Sequence, residues 1–195
     1  MIEHHPLKPF LPDGARLLML GSFPPARHRW CMDFFYPNFT NDMWRIFGLC
    51  LHDDKMYFVD EKKHTFRREA IEQMLREQGI ALYDTAEEVI RTKNTASDKY
   101  LEVVRATDLH AFLHRLPSLQ AIVTTGEKAT ALAAAQLGVS MPKVGSFVEC
   151  TWQDHHSDVV RSLRLYRMPS SSRAYPMKLE SKAEYYKEVI GVSAE

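Results

Sequence analysis

The sequence predicts an α/β protein, three layers deep (α/β/α), around a central four-stranded, mainly parallel sheet. Two observations carry that expectation. Four short apolar runs, Leu17–Leu20, Ile80–Tyr83, Ala121–Thr124 and Leu163–Met168, alternate with helical patterns at about 42–51, 66–78, 106–115 and 127–137. Each run also stops at polar or turn-forming residues, as strands do where an open sheet meets a ligand cleft.

Taken in order, the first run ends in Gly21-Ser22-Phe23-Pro24-Pro25, and an aromatic and basic loop leads to a helix opened by Asp42, Met43 and Trp44. Continuous apolar runs of this kind suit strands buried on both faces. Segment 52–64 is polar and irregular and reads as an exposed loop. The second run ends in Asp84-Thr85, with Asp84 placed to cap a following helix. The third unit, AIVTTGEKATALAAAQLG, is the clearest: strand, Gly126 turn, Ala-rich helix, stop at Gly138. The fourth run ends in Pro169-Ser170-Ser171-Ser172-Arg173. A last helix over about 179–190 follows Pro176, with Ser181 and Glu184 in capping relation. No repeat or linker divides the chain, so residues 1–195 read as a single domain with an N-terminal extension at 1–14.

Composition narrows the function less than placement does. Among 195 residues, 45% are hydrophobic and 26% charged, ordinary values for a water-soluble globular chain. No apolar run approaches the roughly 20 residues of a membrane span, and residues 1–14 hold no apolar signal core. A cytoplasmic protein without membrane contact is expected. Cys31, Cys50 and Cys150 are far apart and form no CxxC pair, so reduced, independent thiols are expected and neither a metal nor another cofactor is called for. His110 and His114 stand at i, i+4 without the HExxH pattern, and His155-His156 reads as a polar loop. The three serines at 170–172 lack the GxSxG of a nucleophile elbow.

Lysine plus arginine equals aspartate plus glutamate at 25 each. Two local basic zones nevertheless stand out. One is Arg27-His28-Arg29. The other runs over 161–187 with Arg161, Arg164, Arg167, Arg173, Lys178, Lys182 and Lys187. Either can hold a phosphate backbone without making the whole chain basic.

With those residues in view, the chain resembles a known family. GSFPP with FYPNFTNDMW, GIALYDTAEEVIR with a later SD, AIVTTGEKA and MPSSSRAYP, in that order, are similar to the motif series of the uracil-DNA glycosylase superfamily. The closest similarity is to its hypoxanthine/uracil and mismatch-specific branches, over about residues 15–190. Nucleotide-binding signatures of the competing α/β folds, GxGxxG and GxxxxGK[ST], are absent.

The resemblance implies a monomeric, monofunctional glycosylase acting on DNA that contains a damaged or mismatched base. Several branches carry an Asp or Asn two positions after the first-motif Gly, where this sequence has Phe23. The resemblance therefore moves the catalytic role to Asn41, which also reads as a helix N-cap. Tyr36 matches the stacking aromatic, although core packing is the other reading of that ring. Gly21, Ser22, Phe23 and Asn38 complete the implied base site, with the Ser22 and Phe23 N–H groups as donors to a base carbonyl. Ser170, Ser171, Ser172 and Arg173 match the loop that pinches DNA, with Arg27 and Arg29 as further DNA contacts. Where one branch has a loop His, Met168 or Pro169 stands here. Asp84 and Asp98 fit mid-chain positions of the series. Two other functions fit the same residues: a nucleic-acid-binding member of the fold that does not cleave, and a nucleoside hydrolase.

Overall fold

In the computed structural model, described over residues 1–93, 98–154 and 158–191, the expected runs are strands and their neighbours are helices. The strands are β1 (Ile2–His4), β2 (Leu17–Gly21), β3 (Val59–Asp60), β4 (Thr65–Phe66), β5 (Ile80–Asp84), β6 (Ala86–Arg91), β7 (Leu101–Ala106), β8 (Ala121–Thr125), β9 (Ser146–Gln153) and β10 (Val160–Met168). The helices are α1 (Met43–His52), α2 (Arg68–Glu77), α3 (Leu109–Arg115), α4 (Glu127–Leu137) and α5 (Leu179–Ile190).

The main sheet has five strands rather than four, in the order β5-β2-β8-β10-β9. The first four are parallel to one another, and β9 lies antiparallel to β10. The added strand escapes a search for apolar runs because it is an edge. In SFVECTWQ only Cys150 and Trp152 are buried, on alternate residues, so no continuous run forms. By contrast every residue of β2, β5 and β8 is buried.

Chain direction reverses within this order. From β2 the chain moves outward to β5, then returns across to β8 and on to β10. Crossovers of one hand that run in opposite directions fall on opposite faces of a sheet. Helix α1 packs on α5, α2 on β5, and α4 on β8, β9 and β10. Trp44, Ile46 and Phe47 of α1 join Leu18, Leu20, Ile122 and Val123 in the core, each with no exposed surface. Burying such side chains contributes about 1.5–3 kcal/mol apiece.

A second, antiparallel sheet, β1-β6-β7, was not anticipated. Its strands AEEVIR and LEVVRA mix charged with apolar residues and bury only one side. Strand β6 also replaces the helix that Asp84 was expected to cap. After β7, helix α3 starts later than the pattern suggested, at Leu109, because Asp108 accepts the Ala111 N–H at 3.1 Å as its N-cap. The N-cap of α5 is Lys178, without a side-chain cap, so Ser181 and Glu184 do not act there. Within 52–64, part of the expected loop pairs as β3 with β4.

Residues 1–14 are woven into the fold. Strand β1 pairs with β6, and Phe10 exchanges backbone hydrogen bonds with Leu82 at 3.0 and 2.8 Å. That bridge covers the outer edge of β5, which would otherwise offer unpaired groups to another chain. No helix of the described residues is long and apolar enough to cross a membrane. His155 and His156, and the side chain of Asp98, lie outside the described residues.

Candidate active site

The reversal of chain direction lies between β2 and β8, where an open α/β sheet forms a crevice beyond its strand ends. A cleft of about 1100 Å³ opens there. Of the residues singled out above, Gly21, Ser22, Phe23, Arg29, Tyr36, Asn38, Asn41, Ser170, Ser171, Ser172 and Arg173 all line it. Arg27 does not. It is exposed, pairs with Asp33 and stacks its guanidinium 4.3 Å from the Trp30 ring centre.

The floor is built where β2 ends. Gly21 is required there by space: a Cβ on it would lie 2.4 Å from Asp84 Oδ1 and 3.6 Å from the Tyr36 hydroxyl oxygen. The Gly21 and Ser22 carbonyls are used by the Thr85 and Ala86 N–H groups. The Ser22 and Phe23 N–H groups have no backbone acceptor among the described residues. Phe23 lines the cleft and also packs with Ala86, Val89 and Leu101 in a small cluster of its own.

Tyr36 holds a left-handed backbone conformation, φ 49°, which costs a non-glycine residue about 1 kcal/mol or more. Its ring meets Trp44 edge-on with centres 5.9 Å apart, and its hydroxyl is 3.3 Å from Thr125 Oγ1 at the end of β8. The tyrosine thus bridges the two strand ends that frame the cleft.

Asn41 is held from three directions. Its N–H donates to the Asn38 carbonyl at 2.8 Å, its carbonyl accepts from Arg45 Nη1 at 3.1 Å, and its Oδ1 accepts the Met43 N–H at 2.9 Å. The last bond takes up the first N–H of α1, whose N-cap is Asp42, without a side-chain cap, rather than Asn41. A backbone N–H can only donate, so the amide oxygen must face Met43 and the amide nitrogen the other way. Asn38 closes the preceding turn, its Oδ1 accepting from Thr40 N–H and Thr40 Oγ1 at 3.0 and 2.9 Å. Arg45 is buried with its guanidinium 4.8 Å from the Phe39 ring centre. Burial, then repulsion from Arg173, lowers its pKa from the usual arginine value.

The serine loop is tied to the same helix start. Asp42 N–H donates to the Ser171 carbonyl at 2.9 Å. Lys182 Nζ donates to Asp42 Oδ2 at 2.9 Å and to the Ser172 carbonyl at 2.7 Å, while Arg173 reaches Asp42 Oδ1 at 3.4 Å. Tyr186 donates to the Pro169 carbonyl at 2.8 Å. Ser171 is buried, whereas Ser170 and Ser172 are half-buried and accept N–H groups from within the loop. Arg173 is exposed at the rim.

The fold has a counterpart among solved structures. The chain matches no family model and no curated protein. Its fold is similar to the solution NMR structure of a "putative Uracil DNA glycosylase" from Methanosarcina acetivorans, with a TM-score of 0.64 over 100% of both chains at 18% identity. At that identity the likeness is one of fold.

The second basic zone divides on inspection. Arg161 is half-buried, donates to the Leu116 and Pro117 carbonyls at the end of α3 and lies over Trp152, and Lys182 is fully buried, so both are tied up within the fold. Arg167 and Arg173 do line the cleft, joined from the opposite wall by Arg29, Arg91, Lys99 and Lys128. Arg29 Nε is buried without a hydrogen-bond partner among the described residues.

His5 carries a contact the sequence reading passed over. Its Nε2 donates to Asp84 Oδ2 at 2.9 Å, and its ring packs among Phe23, Phe35 and Tyr83. A lone histidine near a terminus gives no signal of this. Burial, then the charges of Glu87 and Asp84, pushes the Tyr83 hydroxyl up to about 12. His110 takes the Trp152 Nε1–H at 2.9 Å and His114 reaches Asp154 at 3.1 Å, both structural ties.

Proposed function

We propose that this chain is a monomeric, monofunctional DNA glycosylase. It would hydrolyse the N-glycosidic bond of a base, uracil or hypoxanthine, that is flipped out of damaged or mismatched DNA. The observation that carries the reading is Asn41: a rigidly held amide on the wall of a cleft shared with Tyr36, the open Ser22 and Phe23 N–H groups, and the serine loop. The fold likeness supports it. So do the cations that line the cleft, Arg29, Lys99, Arg167 and Arg173 among them.

In this reading the base leaves its stack and lies against Tyr36. The C1′–N bond breaks with its electron pair going to the base, and charge builds on the base oxygens as the sugar becomes oxocarbenium-like. The Ser22 and Phe23 N–H groups and the Asn41 amide donate to that developing charge. A water oxygen adds to C1′, one of its protons is released, and the departing base takes up a proton. Arg29 and Arg173 hold phosphates, and Ser170 and Ser172 let the backbone approach. The same chemistry needs neither metal nor cofactor, and the location that goes with this reading is the cytoplasm, at the nucleoid in a bacterium.

The test is alkali cleavage of duplex oligonucleotides that carry uracil, hypoxanthine, xanthine or mismatched thymine. Wild-type protein should leave abasic sites at uracil or hypoxanthine, and Asn41→Ala should lower the rate about 10²–10³-fold while the thermal melt stays cooperative. Binding without cleavage of any base would identify a non-cleaving member of the fold. Turnover of free nucleosides without DNA binding would identify a nucleoside hydrolase. Full activity in Asn41→Ala would remove that residue from the chemistry.

A further inference from the structure

The β3–β4 hairpin carries charges that the fold leaves unneutralised. Residues 60–68, DEKKHTFRR, hold four lysines and arginines against two acids, and neither basic zone noted above includes them. The tip, Glu61 to His64, is exposed. Lys62, Lys63 and Arg67 form no ion pair with a described residue. Lys62 and Lys63 are adjacent like charges. Arg67 is the N-cap of α2, where the helix dipole disfavours a cation. An anion from outside would relieve all three.

The tip is also held firmly beside the cleft. The Lys63 N–H donates to Asp60 Oδ1 at 3.1 Å and the His64 N–H to the Glu61 carbonyl at 3.2 Å, closing the turn. His64 is left-handed, φ 51°, and its ring lies on Phe39 with centres 3.8 Å apart. Phe39 packs on Phe66 of β4 and stands between Asn38 and Thr40, both of which line the cleft. Thr65 Oγ1 donates to the Cys31 carbonyl at 2.7 Å and so ties β4 to the aromatic loop. The two lysines therefore ride on a rigid mount just outside the rim.

We propose that this hairpin is a second DNA contact, separate from the cleft. Lys62 and Lys63 bind backbone phosphates of the duplex that flanks the extruded nucleotide. The proposal rests on the glycosylase reading for the identity of the polyanion, and extends it to DNA that does not react. Duplex DNA carries one negative charge per roughly 1.7 Å of its axis. Only one nucleotide leaves the stack, so the strand on either side of it passes over the rim, where the hairpin stands. Lysine is a compact point charge on a flexible stem, suited to a phosphate and blind to base identity. The contact adds affinity for duplex of any sequence, damaged or not.

The experiment measures affinity by fluorescence anisotropy for one duplex in two forms, unmodified and bearing a non-cleavable uracil nucleotide, from about 50 to about 200 mM KCl. Each phosphate contact adds about 0.9 to the slope of log affinity against log salt. The double variant Lys62→Ala with Lys63→Ala should lower that slope by about 2, and lose about 10-fold less affinity than wild type over the same rise in salt. At low salt it should bind both duplexes more weakly, by the same factor. Lys62→Arg with Lys63→Arg should keep the wild-type slope. Glu61→Gln should tighten binding, a gain that no damage to the fold imitates. An unchanged slope in the alanine pair would overturn the proposal, as would an arginine pair whose slope falls equally. So would a loss confined to the uracil duplex, which would place the lysines on the extruded nucleotide, or weaker binding by Glu61→Gln. Wild-type protein that binds neither duplex would instead refute the glycosylase reading itself, and the proposal with it.

Discussion

Replacing Lys182 by methionine removes one charge from a buried cross-brace and leaves its partner behind. Lys182 has no exposed surface, and the Asp42 side chain is 8% exposed. Methionine follows the lysine stem closely in length and volume, so the change isolates the ammonium group. Breaking a buried ion pair from one side costs about 3–5 kcal/mol. Arg173 stays within 3.4 Å of the carboxylate but is 57% exposed, so it offsets only part of the loss, and the Ser172 carbonyl also gives up a donor. We expect about 3 kcal/mol, the lower end of that range, and a melting temperature lower by ~6–12 °C for a chain of this length. Urea unfolding measures the free energy directly. The double variant Asp42→Asn with Lys182→Met removes both charges, and should recover part of the loss because no unpaired carboxylate remains buried. A single variant within 0.5 kcal/mol of wild type, or a double variant as unstable as the two single losses added together, would refute the argument.

Two further outcomes follow from the same geometry. Tyr36→Ala keeps the left-handed backbone strain but loses the ring, so binding to DNA carrying a non-cleavable uracil nucleotide should weaken about 10- to 100-fold, by the ~1–3 kcal/mol a base–aromatic stack is worth; unchanged affinity in a titration would show that the ring is only packing. Alkaline pH should destabilise the fold: burial raises Cys50 from 9.0 and Tyr83 from 10.0, each to about 12. The unfolded chain releases these protons first, so their stabilisation is complete below about pH 9 and is lost as pH rises toward 12, with a slope up to about 1.4 kcal/mol per pH unit for each group. Urea unfolding at pH 8, 9 and 10 tests the sign, and Cys50→Ala should flatten the slope.

Much of the framework was legible because it is written in long apolar runs. Strands β2, β5 and β8 are buried on both faces and announce themselves. Strand β9 does not, because an edge strand needs apolar residues only at alternate positions, and Cys150 and Trp152 are all it buries. Strands β6 and β7 hide behind their charges. Arg105 bridges Glu87 and Glu88 across that ladder, and Arg91 holds Glu3 of the N-terminal arm. Within the site, Gly21, Ser22 and Ser170 stand at or just after strand ends and could be placed by topology, whereas Tyr36 and Asn41 were singled out through the resemblance. What stayed hidden were pairs joined only by folding. Lys182 counts as one more basic residue in a helix until it is found beneath Asp42, and His5 is unremarkable until it meets Asp84 from 79 positions away.

Asn41 shows how a structural and a chemical role can share one side chain. Its oxygen is committed to the Met43 N–H at the start of α1, so the group left for the cleft is the amide nitrogen, which can donate but not accept. A donor is suited to charge on a departing base or to a phosphate or sugar oxygen, and it is poorly suited to drawing a proton from water. That bond also explains why the amide is rigid: α1 is anchored by Trp44 and Phe47 in the core, and Arg45 grips the Asn41 carbonyl from one turn further on. Under the proposed glycosylase function, stabilising the leaving group is then the economical assignment for this residue. The oxocarbenium-like sugar that results is reactive enough to capture water without a strong base. With Phe23 offering no polar side chain beside Gly21, chemistry that proceeds by easing departure, rather than by forcing attack, is what the proposed function would ask of these residues.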